Sequence, residues 1–412
     1  MSDRAAQAGT EAGIVIVGAG QAGAALAARL RALGHTGAVT LVGAEPVPPY
    51  QRPPLSKAYL LGDVPAERLF LRPVEFYQQN DIALRMGEAV TAIDCAARQI
   101  TLSGGGRLAY DDLVLTTGSV PRRLPATIGG VLPGVFTLRD LADVDAMRPH
   151  LHAGARALVV GGGYIGLEGA AVARKLGLEV TVLEMAPRIL QRVACRETSD
   201  FFRDLHHGHG VTLLESTGLQ RLTGTDRVTG AVLSDGREIA ADVVIVGIGI
   251  APETALAGAA GLTLENGIAT DEFGRTSAPH VWAAGDCASF PVVGGGRMRL
   301  ESVQNAIDQA EAVAANLTGA NRPYLPMPWF WSDQYDVKLQ IAGLNAGHDR
   351  IVVRATEGAL SHWYYAGDRL LAVDAMNDPR GFMVAKRLIE AGRSPDPALV
   401  ADPATDLKTL LR

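Results

Sequence analysis

The stretch IVIVGAGQAG, from Ile14 to Gly23, constrains the fold more than any other feature of the chain. Four β-branched residues predict a strand buried on both faces, and the pattern Gly-x-Gly-x-x-Gly follows them. The first glycine, Gly18, permits a sharp turn, Gly20 lets a pyrophosphate approach the backbone, and Gly23 lets the next helix pack closely on the strand. Glu45, after a second predicted strand, lies where a carboxylate reaches an adenosine ribose. The stretch predicts a dinucleotide-binding unit.

The same pattern occurs a second time. A strand predicted over 157–160 precedes a helix predicted from Leu167, and the glycines between them are Gly161, Gly163 and Gly166. The next predicted strand ends at Glu184, where a carboxylate accepts hydrogen bonds from both ribose hydroxyls and repels a 2′-phosphate. The cations Arg188 and Arg192 stand nearby and weaken this repulsion. We therefore predict a second dinucleotide site, which prefers NADH to NADPH.

Length and charge limit the classes of function. A chain of 412 residues is too long for one ordinary core and predicts two or three domains. Its 44 acidic residues outnumber its 38 Lys and Arg residues, so the protein as a whole does not favour nucleic acid or an anionic membrane. Residues 1–13 lack a basic segment followed by an apolar core, and no run of eighteen apolar residues occurs. The chain is expected to be a cytoplasmic α/β enzyme with no membrane partner.

The cysteines and histidines argue against two kinds of site. Cys95, Cys195 and Cys287 are far apart and include no Cys-x-x-Cys pair, so neither a disulfide framework nor a redox-active cysteine pair is expected. The segment HHGHG, over 206–210, is predicted to be a polar turn. Because no carboxylate or cysteine stands at ligand spacing from it, we predict no metal site.

Several charged residues allow both a structural and a functional interpretation. In the loop PPYQRPPLSK, Ser56 is predicted to cap a helix that enters at Lys57. Arg52 and Lys57 are either solvated cations on this capped surface turn or groups that face a ligand. Glu168 is predicted in the first turn of the second glycine-led helix, where the helix dipole favours any carboxylate. Asp286 follows an apolar strand and precedes a predicted helix-like stretch. It is either a helix cap or a ligand of a ribityl chain or pyrophosphate.

Beyond residue 321 the amino-acid composition of the chain changes. Residues 324–331 are rich in proline and aromatic residues. Later alternation predicts strands over 337–342, 350–355, 360–365 and 370–375 and a helix over 381–391. These elements predict a third, smaller α+β domain. Trp329 and Trp331 are interpreted as core aromatics, with a position over a flavin as the alternative.

Taken together, these segments resemble the NADH-dependent ferredoxin reductases of bacterial cytochrome P450 and aromatic-ring dioxygenase systems, the putidaredoxin reductase family. The resemblance covers essentially the whole length and is carried by VGAGQAG, RPPLSKAYL, TTGSVPR, GGGYIGLE, VIVGIGIAPET, VWAAGDCA, LESVQNA and WFWSDQYDVKLQIAGL. Disulfide reductases and NADH oxidases also contain two Rossmann units. RPPLSK and WSDQYDVKLQ, without active cysteines, separate this chain from them.

The resemblance implies an α/β fold with two Rossmann-like nucleotide-binding domains of the glutathione reductase type and a small C-terminal α+β domain. The FAD-binding domain is expected to be discontinuous, over 1–115 and 247–323. An NADH-binding domain is expected over 116–246. The C-terminal domain, over 324–412, is expected to line the flavin.

The resemblance also implies roles for individual residues. The FAD-binding residues would be Gly18, Gly20, Gly23, Glu45, Arg52, Lys57, Thr117, Gly118, Arg139, Asp286, Val303 and Trp331. The NADH-binding residues would be Gly161, Gly163, Tyr164, Ile165, Gly166, Glu184, Arg192 and Gly249. Lys57 would pair with Glu168 close to the flavin N5 and the nicotinamide, and Trp331, with the adjoining 332–334, would border the ring. These three, Lys57, Glu168 and Trp331, are the expected catalytic residues. Ala44 stands where relatives often carry an aspartate, which leaves the adenosine contact open.

The implied activity is transfer of electrons from NADH through FAD to a small acidic [2Fe–2S] ferredoxin that supplies a cytochrome P450 or ring-hydroxylating oxygenase. Candidate docking cations are Arg297, Arg299, Lys338, Arg380, Lys386 and Arg387. One alternative is an NADH oxidase or a reductase of rubredoxin or another carrier. Another is a non-catalytic NADH-binding redox sensor, as in the apoptosis-inducing factors. The sequence leaves open whether the chain forms a weak homodimer.

Overall fold

The computed structural model describes residues 12–292 and 295–412. Most of the segment 1–13, whose composition led to the expected cytoplasmic location, lies outside the described residues. Within these ranges no helix combines the length and the apolar character needed to cross a membrane. The chain divides into two compact units. The first unit comprises Met1–Gln51, Glu67–Val120 and Ala251–Pro326. The second unit comprises Arg52–Ala66, Pro121–Ile250 and Met327–Arg412.

A five-stranded parallel sheet lies at the centre of the first unit. Its strands, in spatial order, are Val281–Ala283, Asp112–Leu115, Ile14–Val17, Val39–Gly43 and Ile82–Met86. In the central strand Ile14 pairs with Val39 on one side and with Asp112 on the other. Every residue of this strand is at most 5% exposed, which confirms the predicted strand buried on both faces.

Alternate residues of the central strand face two different cores. Ile14 and Ile16 pack in one cluster with residues of the helices Gln21–Ala32 and Val303–Leu317. Val15 and Val17 pack in the other cluster, against an antiparallel sheet and a short helix. The remaining elements of this unit are Val74–Gln79, Val90–Asp94, Gln99–Leu102, Arg107–Ala109, Ala255–Ala259, Ile268–Ala269, Ala288–Pro291 and Arg297–Met298. Three short elements, Ala66–Leu69, Ser119–Pro121 and Ile250–Pro252, fall at the segment boundaries.

The second unit contains a second five-stranded parallel sheet. Its strands, in spatial order, are Thr212–Leu214, Glu179–Leu183, Arg156–Val160, Val243–Val246 and Val135–Thr137. The other elements of this part are Ala126–Ile128, Leu141–Met147, Arg148–His150, Tyr164–Lys175, Arg196–Gly208, Leu219–Thr223, Gly230–Leu233 and Glu238–Ala240. Because the repeated glycine pattern again follows the central strand, two Rossmann-like units are present in the chain.

The second unit also contains an antiparallel sheet with the strand order Trp329–Gln334, Val337–Gly343, Arg369–Met376, Ala359–Ala366 and Arg350–Thr356. The four predicted strands are confirmed, as is the predicted helix, which runs over Pro379–Glu390 and packs on this sheet. The strand that begins at Trp329 was not predicted. Two short helical segments, Pro397–Ala401 and Leu407–Leu411, complete this α+β region.

A short excursion of the chain belongs to the second unit although it interrupts the first. It forms a 3₁₀ turn over Pro53–Ser56 and a short helix over Ala58–Leu61, with Lys57 between them. The prediction that Ser56 caps a helix is wrong, because the helix starts after Lys57 and has no side-chain cap. The excursion therefore presents the Ser56 and Lys57 side chains to the second unit.

Candidate functional site

In the first glycine turn, two of the three glycines are required by the fold itself. Gly18 has φ +113°, and a Cβ there would lie 2.2 Å from the Thr116 carbonyl oxygen. A Cβ at Gly23 would lie 2.1 Å from the Gly18 carbonyl oxygen. Both distances are far shorter than a carbon–oxygen contact. These two glycines are therefore explained by the close approach of the turn, the helix and the neighbouring strand.

Gly20 has no such structural explanation. Its backbone, at φ −93° and ψ −160°, suits any residue, and no atom lies within 4 Å of a Cβ built on it. It stands at the start of the helix Gln21–Ala32, where unpaired N–H groups favour an anion. The missing side chain therefore leaves space at a phosphate-binding position, and the turn fits the pyrophosphate of a dinucleotide.

The second glycine turn repeats this geometry. Gly161 has φ +109°, and its Cβ would lie 2.4 Å from the Gly247 carbonyl oxygen. A Cβ at Gly166 would lie 2.1 Å from the Gly161 carbonyl oxygen. Gly163, at the start of the helix Tyr164–Lys175, resembles Gly20: its φ is −84°, and no atom lies within 4 Å of a Cβ built on it. The second turn is thus suited to a second dinucleotide.

The Glu184 carboxylate is fixed at the tip of its strand beside this turn. Its Oε2 accepts from the Gly162 N–H at 2.8 Å, and its Oε1 accepts from the Ala186 N–H at 2.7 Å. Of the two nearby cations, Arg188 is engaged, because it donates to the Cys195 carbonyl oxygen at 3.1 Å and to Ser199. The geometry keeps a negative charge at the position expected for the ribose hydroxyls.

The other residues expected at the NADH site differ in their surroundings. Tyr164 is the first residue of the helix that follows the turn, and its ring lies 4.9 Å from the Phe330 ring. Ile165 is 37% exposed and Arg192 is exposed. Gly249 has φ +96° and accepts from the Arg122 N–H at 2.9 Å.

Several residues expected at the FAD site have contacts within the first unit. The Asp286 Oδ2 accepts from the Ser119 hydroxyl at 2.8 Å, and the Glu45 Oε2 accepts from the Tyr50 hydroxyl at 2.5 Å. The Thr117 hydroxyl donates to the Glu253 carbonyl oxygen at 2.6 Å. Gly118, with φ +71°, accepts from the N–H of the same glutamate, and Val303 is the first residue of its helix. The prediction of a helix-like stretch after Asp286 is wrong, because the segment Ala288–Pro291 forms a strand.

In the second unit, Lys57 and Glu168 form a buried ion pair. The Lys57 ammonium donates to the Glu168 Oε2 at 2.6 Å, and their side chains are 21% and 5% exposed. The Ser56 hydroxyl donates to the same oxygen at 2.5 Å, and the Ser332 hydroxyl donates to Oε1 at 2.6 Å. A buried carboxylate is tolerated when cations and donors surround it in this way. The interpretation of Lys57 as a solvated surface cation is therefore wrong.

The position of Glu168 on its helix also differs from the prediction. The helix begins at Tyr164, three residues before the predicted start, so Glu168 lies beyond its first turn. The prediction that the helix dipole holds this carboxylate is therefore wrong. Its charge is instead compensated by Lys57, Ser56 and Ser332, which come from two distant segments of the chain.

Arg52 and Trp331 also lie in the second unit. An Arg52 N–H donates to the Arg139 carbonyl oxygen at 2.7 Å, and the Arg139 N–H donates to Asp143 at 2.9 Å. Trp331 is half-buried, and its ring lies 5.6 Å from that of Trp329. Trp329 packs against the core of the C-terminal sheet, whereas Trp331 does not belong to that cluster.

Two family comparisons match almost the whole described chain. Residues 12–310 match the pyridine nucleotide-disulphide oxidoreductase family, and residues 329–411 match the reductase C-terminal family. Rhodocoxin reductase from Rhodococcus erythropolis is 44% identical over 399 residues, which cover 96% of this chain and 93% of that protein. The ferredoxin–NAD⁺ reductase component of the anthranilate 1,2-dioxygenase system from Burkholderia cepacia is 42% identical, with 96% and 98% covered.

A solved structure agrees equally well. The reductase in the crystal structure of the covalent putidaredoxin reductase–putidaredoxin complex matches with a TM-score of 0.93 at 42% identity, with 97% of this chain and 98% of that chain covered. The chain belongs to the putidaredoxin reductase-like ferredoxin reductases. Members of this family are oxidoreductases that use FAD and NAD(P)H, so the expected fold class, enzyme class and cofactors are confirmed.

The histidines at 206–210 are placed differently from the prediction. In this family member His206 and His207 lie in the last turn of the helix Arg196–Gly208, so the predicted polar turn is wrong there. His206 is fully buried, whereas the His209 ring stacks on the Tyr335 ring at 3.6 Å. Across the described ranges, no three His, Cys, Asp or Glu side chains lie close enough together to hold a metal ion.

A second group of buried polar side chains was not predicted. Asp374, 1% exposed, accepts from the Thr198 hydroxyl at 2.8 Å and from the Tyr364 hydroxyl. The Thr198 hydroxyl also lies 2.7 Å from His362 Nδ1. Burial raises the pKa of Asp374 to about 6 and lowers the pKa of His362 to about 4. At neutral pH this group contains a neutral imidazole beside a buried carboxylate.

The candidate docking cations divide into two classes. Three are engaged within the chain: Arg297 donates to the Thr270 carbonyl oxygen, Arg299 pairs with Glu301, and Lys386 pairs with Glu390. The other three are exposed and have no ion pair among the described residues: Lys338, Arg380 and Arg387. The second class is better suited to an external acidic partner.

Proposed function

We propose that this chain is an NADH:ferredoxin oxidoreductase that reduces a small acidic [2Fe–2S] ferredoxin of a cytochrome P450 or ring-hydroxylating oxygenase system. The observation that carries this proposal is the buried Lys57–Glu168 pair. It lies in the same unit as the second glycine turn, in which the fold itself does not require a glycine at position 163. The balanced reaction is NADH plus two oxidised ferredoxins giving NAD⁺, one proton and two reduced ferredoxins. Family membership supports both the electron donor and the acceptor.

The expected cofactor residues would act mainly by binding and orientation. Gly18, Gly20 and Gly23 would hold the FAD pyrophosphate, with Asp286 at the ribityl chain, and Gly163 would admit the pyrophosphate of NADH. FAD supplies the change from hydride transfer to single-electron transfer. Stacking and alignment matter most for hydride transfer, so the half-buried Trp331 would shape the space beside the ring.

Lys57 and Glu168 would control the charge near the reacting atoms. The ammonium would stabilise the negative charge that arrives with the hydride, and the carboxylate would fix the ammonium in position. Ser56 and Ser332 keep that carboxylate in one orientation, because each donates to a different one of its oxygens. The pair would therefore act electrostatically, with no proton transfer required of it.

The preference for NADH rests on Glu184. Its two carboxylate oxygens are held by backbone N–H groups, so the charge cannot rotate away from a 2′-phosphate. Arg188, the cation nearer in the sequence, is engaged by Ser199 and Cys195. We infer discrimination against NADPH from this arrangement.

The acidic character of the ferredoxin is inferred from charge. The cations Lys338, Arg380 and Arg387 are exposed and without ion pairs in the described part of the chain. They can attract an acidic protein although the chain carries a net charge of −6. A cytoplasmic location fits a reaction that consumes NADH. The expected domain limits at 116, 247 and 324 are supported by the nearby segment boundaries of the two compact units, after Val120, Ile250 and Pro326. The limit at 324 also falls between the family match that ends at residue 310 and the one that starts at residue 329.

The experiment is stopped-flow mixing of the FAD-loaded protein with NADH, followed by mixing with a [2Fe–2S] ferredoxin. Rapid bleaching of the flavin followed by rapid ferredoxin-dependent recovery is expected. Recovery by oxygen alone would instead support an NADH oxidase. A stable long-wavelength complex that no carrier discharges would support a redox sensor.

A further inference from the structure

A line of buried hydrogen bonds leads away from Glu168 to the helix Arg196–Gly208. The Ser332 hydroxyl, which donates to Glu168, lies 3.3 Å from the Gln334 Nε2. The Gln334 Oε1 lies 2.8 Å from the His206 Nε2. Ser332, Gln334 and His206 are each 0% exposed. Three contacts therefore join the last turn of this helix to the carboxylate of the ion pair.

The protonation of His206 sets the direction of the first contact. Burial lowers the pKa of His206 to about 4, so its ring is neutral near pH 7 and carries one N–H. The Tyr335 hydroxyl lies 3.3 Å from Nδ1, and burial raises the pKa of this phenol, which therefore keeps its proton. Because the Gln334 Oε1, which can only accept, faces Nε2, the imidazole proton resides on Nε2, and Nδ1 accepts from the phenol. The His206 Nε2–H then donates to the oxygen of the Gln334 amide.

The direction of the remaining contacts follows from this one. A reversed Gln334 amide would place its NH₂ group against the His206 N–H, donor against donor. The amide oxygen is therefore held toward His206, and the NH₂ group faces Ser332. The Ser332 hydroxyl, as the acceptor from that NH₂ group, directs its own proton to Glu168. Such a chain of donors pointing one way is mutually polarised.

We propose that His206 is a positioning residue for Glu168: it fixes, through Gln334 and Ser332, the hydrogen bond that the carboxylate of the Lys57–Glu168 pair receives. Without the imidazole donor, the amide rotates and offers its oxygen to the Ser332 proton, which then has two acceptors. Glu168 loses part of a donor, and its negative charge is less compensated. The inference rests on the proposed function, because the pair matters to electron transfer only if it acts on the flavin.

Two changes remove the constraint by different routes. His206→Leu deletes the imidazole donor. Gln334→Glu is nearly isosteric and offers two acceptors, so it draws the Ser332 proton away from Glu168 without leaving a cavity. His206→Gln retains an N–H donor at similar reach and is the rescue variant. His207→Leu, at an exposed position in the same helical turn, is the matched control.

The measurements are made on the FAD-loaded proteins and include the midpoint potential of the bound flavin by dye equilibration, without ferredoxin. For His206→Leu and Gln334→Glu we expect flavin bleaching at saturating NADH to slow ~3- to 10-fold, with an unchanged dissociation constant for NADH, as the loss of about one hydrogen bond predicts. The reduction equilibrium should shift against the reduced flavin by a similar factor, which for two electrons is about 15 to 30 mV lower. His206→Gln and His207→Leu should match the parent protein.

A purely structural role for His206 gives a different result. His206→Leu would then lower the unfolding temperature while the potential and the bleaching rate stayed at parent values, and the proposal would be wrong. If His206→Leu does not fold, Gln334→Glu with parent potential and rate overturns the proposal on its own. Failure of the parent protein to reduce any ferredoxin would contradict the proposed function, yet the potentials would still separate the variants.

Discussion

At the scale of single residues, Glu168 is the clearest case of a charge that depends on its neighbours. It is 4% exposed, and an ammonium and two hydroxyls surround its oxygens. Lys57→Met should destabilise the protein by about 3 kcal/mol, because it leaves a buried carboxylate without its cation. It should also slow flavin reduction by NADH about tenfold or more, because the arriving negative charge loses its partner. Urea unfolding and stopped-flow absorbance test the two effects.

The double variant Lys57→Met, Glu168→Gln separates stability from catalysis. A neutral amide needs no cation, so the stability lost in Lys57→Met should largely return. The rate should remain slow, because the ammonium is still absent. Parent rates and an unchanged flavin potential in Lys57→Met would exclude the electrostatic role.

The second prediction for a single residue concerns Glu184 and the preference for NADH over NADPH. Glu184→Ser removes the fixed charge beside the second glycine turn, so the ratio of kcat/KM for NADPH to that for NADH should rise about tenfold. The kcat/KM for NADH should also fall, because the Gly162 N–H loses its acceptor. Glu179→Ser, at the exposed other end of the same strand, is the control and should leave the ratio unchanged. An unchanged ratio in Glu184→Ser would show that discrimination lies elsewhere.

At the scale of elements, the two glycine turns separate folding from binding. Gly20→Ala should fold normally, because its Cβ meets nothing within 4 Å, but should weaken FAD binding at least about tenfold by obstructing charge-assisted hydrogen bonds. Gly18→Ala should instead destabilise the protein, since its Cβ would meet the Thr116 carbonyl oxygen. Fluorescence titration of the apoprotein with FAD and circular dichroism distinguish the two. Gly104→Ala, in an open loop position, is the neutral control.

Local elements such as these turns could be predicted from the sequence, whereas contacts between distant residues could not. The strand, glycine turn and helix follow from local rules, so both Rossmann units and the four C-terminal strands were predicted to within a few residues. The residues that compensate the Glu168 charge could not be found by local rules, because Lys57 and Ser332 stand 111 and 164 residues away along the chain. Polar residues at alternate positions of WSDQ were a usable sign, since Ser332 and Gln334 share one face of a strand. His206 follows the buried Phe202 at four-residue spacing on its helix, but its hydrogen-bond partner, Gln334, lies 128 residues later and could not be identified locally.

At the scale of the whole molecule, three buried groups predict how stability varies with acidity. His206 and His362 have a pKa of about 4 when folded and about 6.5 when unfolded, so stability should fall as pH drops from 6.5 to 4, by roughly 3 kcal/mol each. Asp374 has a folded pKa of about 6, above its unfolded value of 3.8, so its contribution should decrease by about 3 kcal/mol as pH rises over that range. Two histidines outweigh one aspartate, and the net change is loss of stability in acid.

Asp374→Asn tests this balance. Without the opposing carboxyl group, the difference between the urea midpoints at pH 5 and pH 7 should become larger than in the parent protein. His362→Gln should make that difference smaller. An unchanged difference in Asp374→Asn would mean that the buried carboxyl group is ionised across the whole range.

Association with the ferredoxin should depend on salt. The KM for an acidic ferredoxin should rise with ionic strength, because steering between exposed charges is screened over about 10 Å at 0.1 M salt. Lys338→Glu with Arg387→Glu should raise this KM and flatten its salt dependence while leaving flavin reduction by NADH unchanged. Lys408→Glu, at another exposed lysine, is the control for net charge. A salt-independent KM would refute electrostatic steering.

The ion pair at Lys57 also has a consequence for biosynthesis. The two members of the pair and the two serines that donate to Glu168 are translated in the order Ser56, Lys57, Glu168, Ser332. The Ser332 hydroxyl emerges 164 residues after the carboxylate to which it donates. At 5 to 20 residues per second the ribosome takes roughly 8 to 33 s to cover that distance. During this interval the nascent chain can complete both parallel sheets but not the surroundings of Glu168. The surroundings of Glu168 are therefore among the last parts of the protein to mature, and a ribosome that stalls before the C-terminal sheet releases a chain that contains both glycine turns but lacks the hydroxyl of Ser332 beside Glu168.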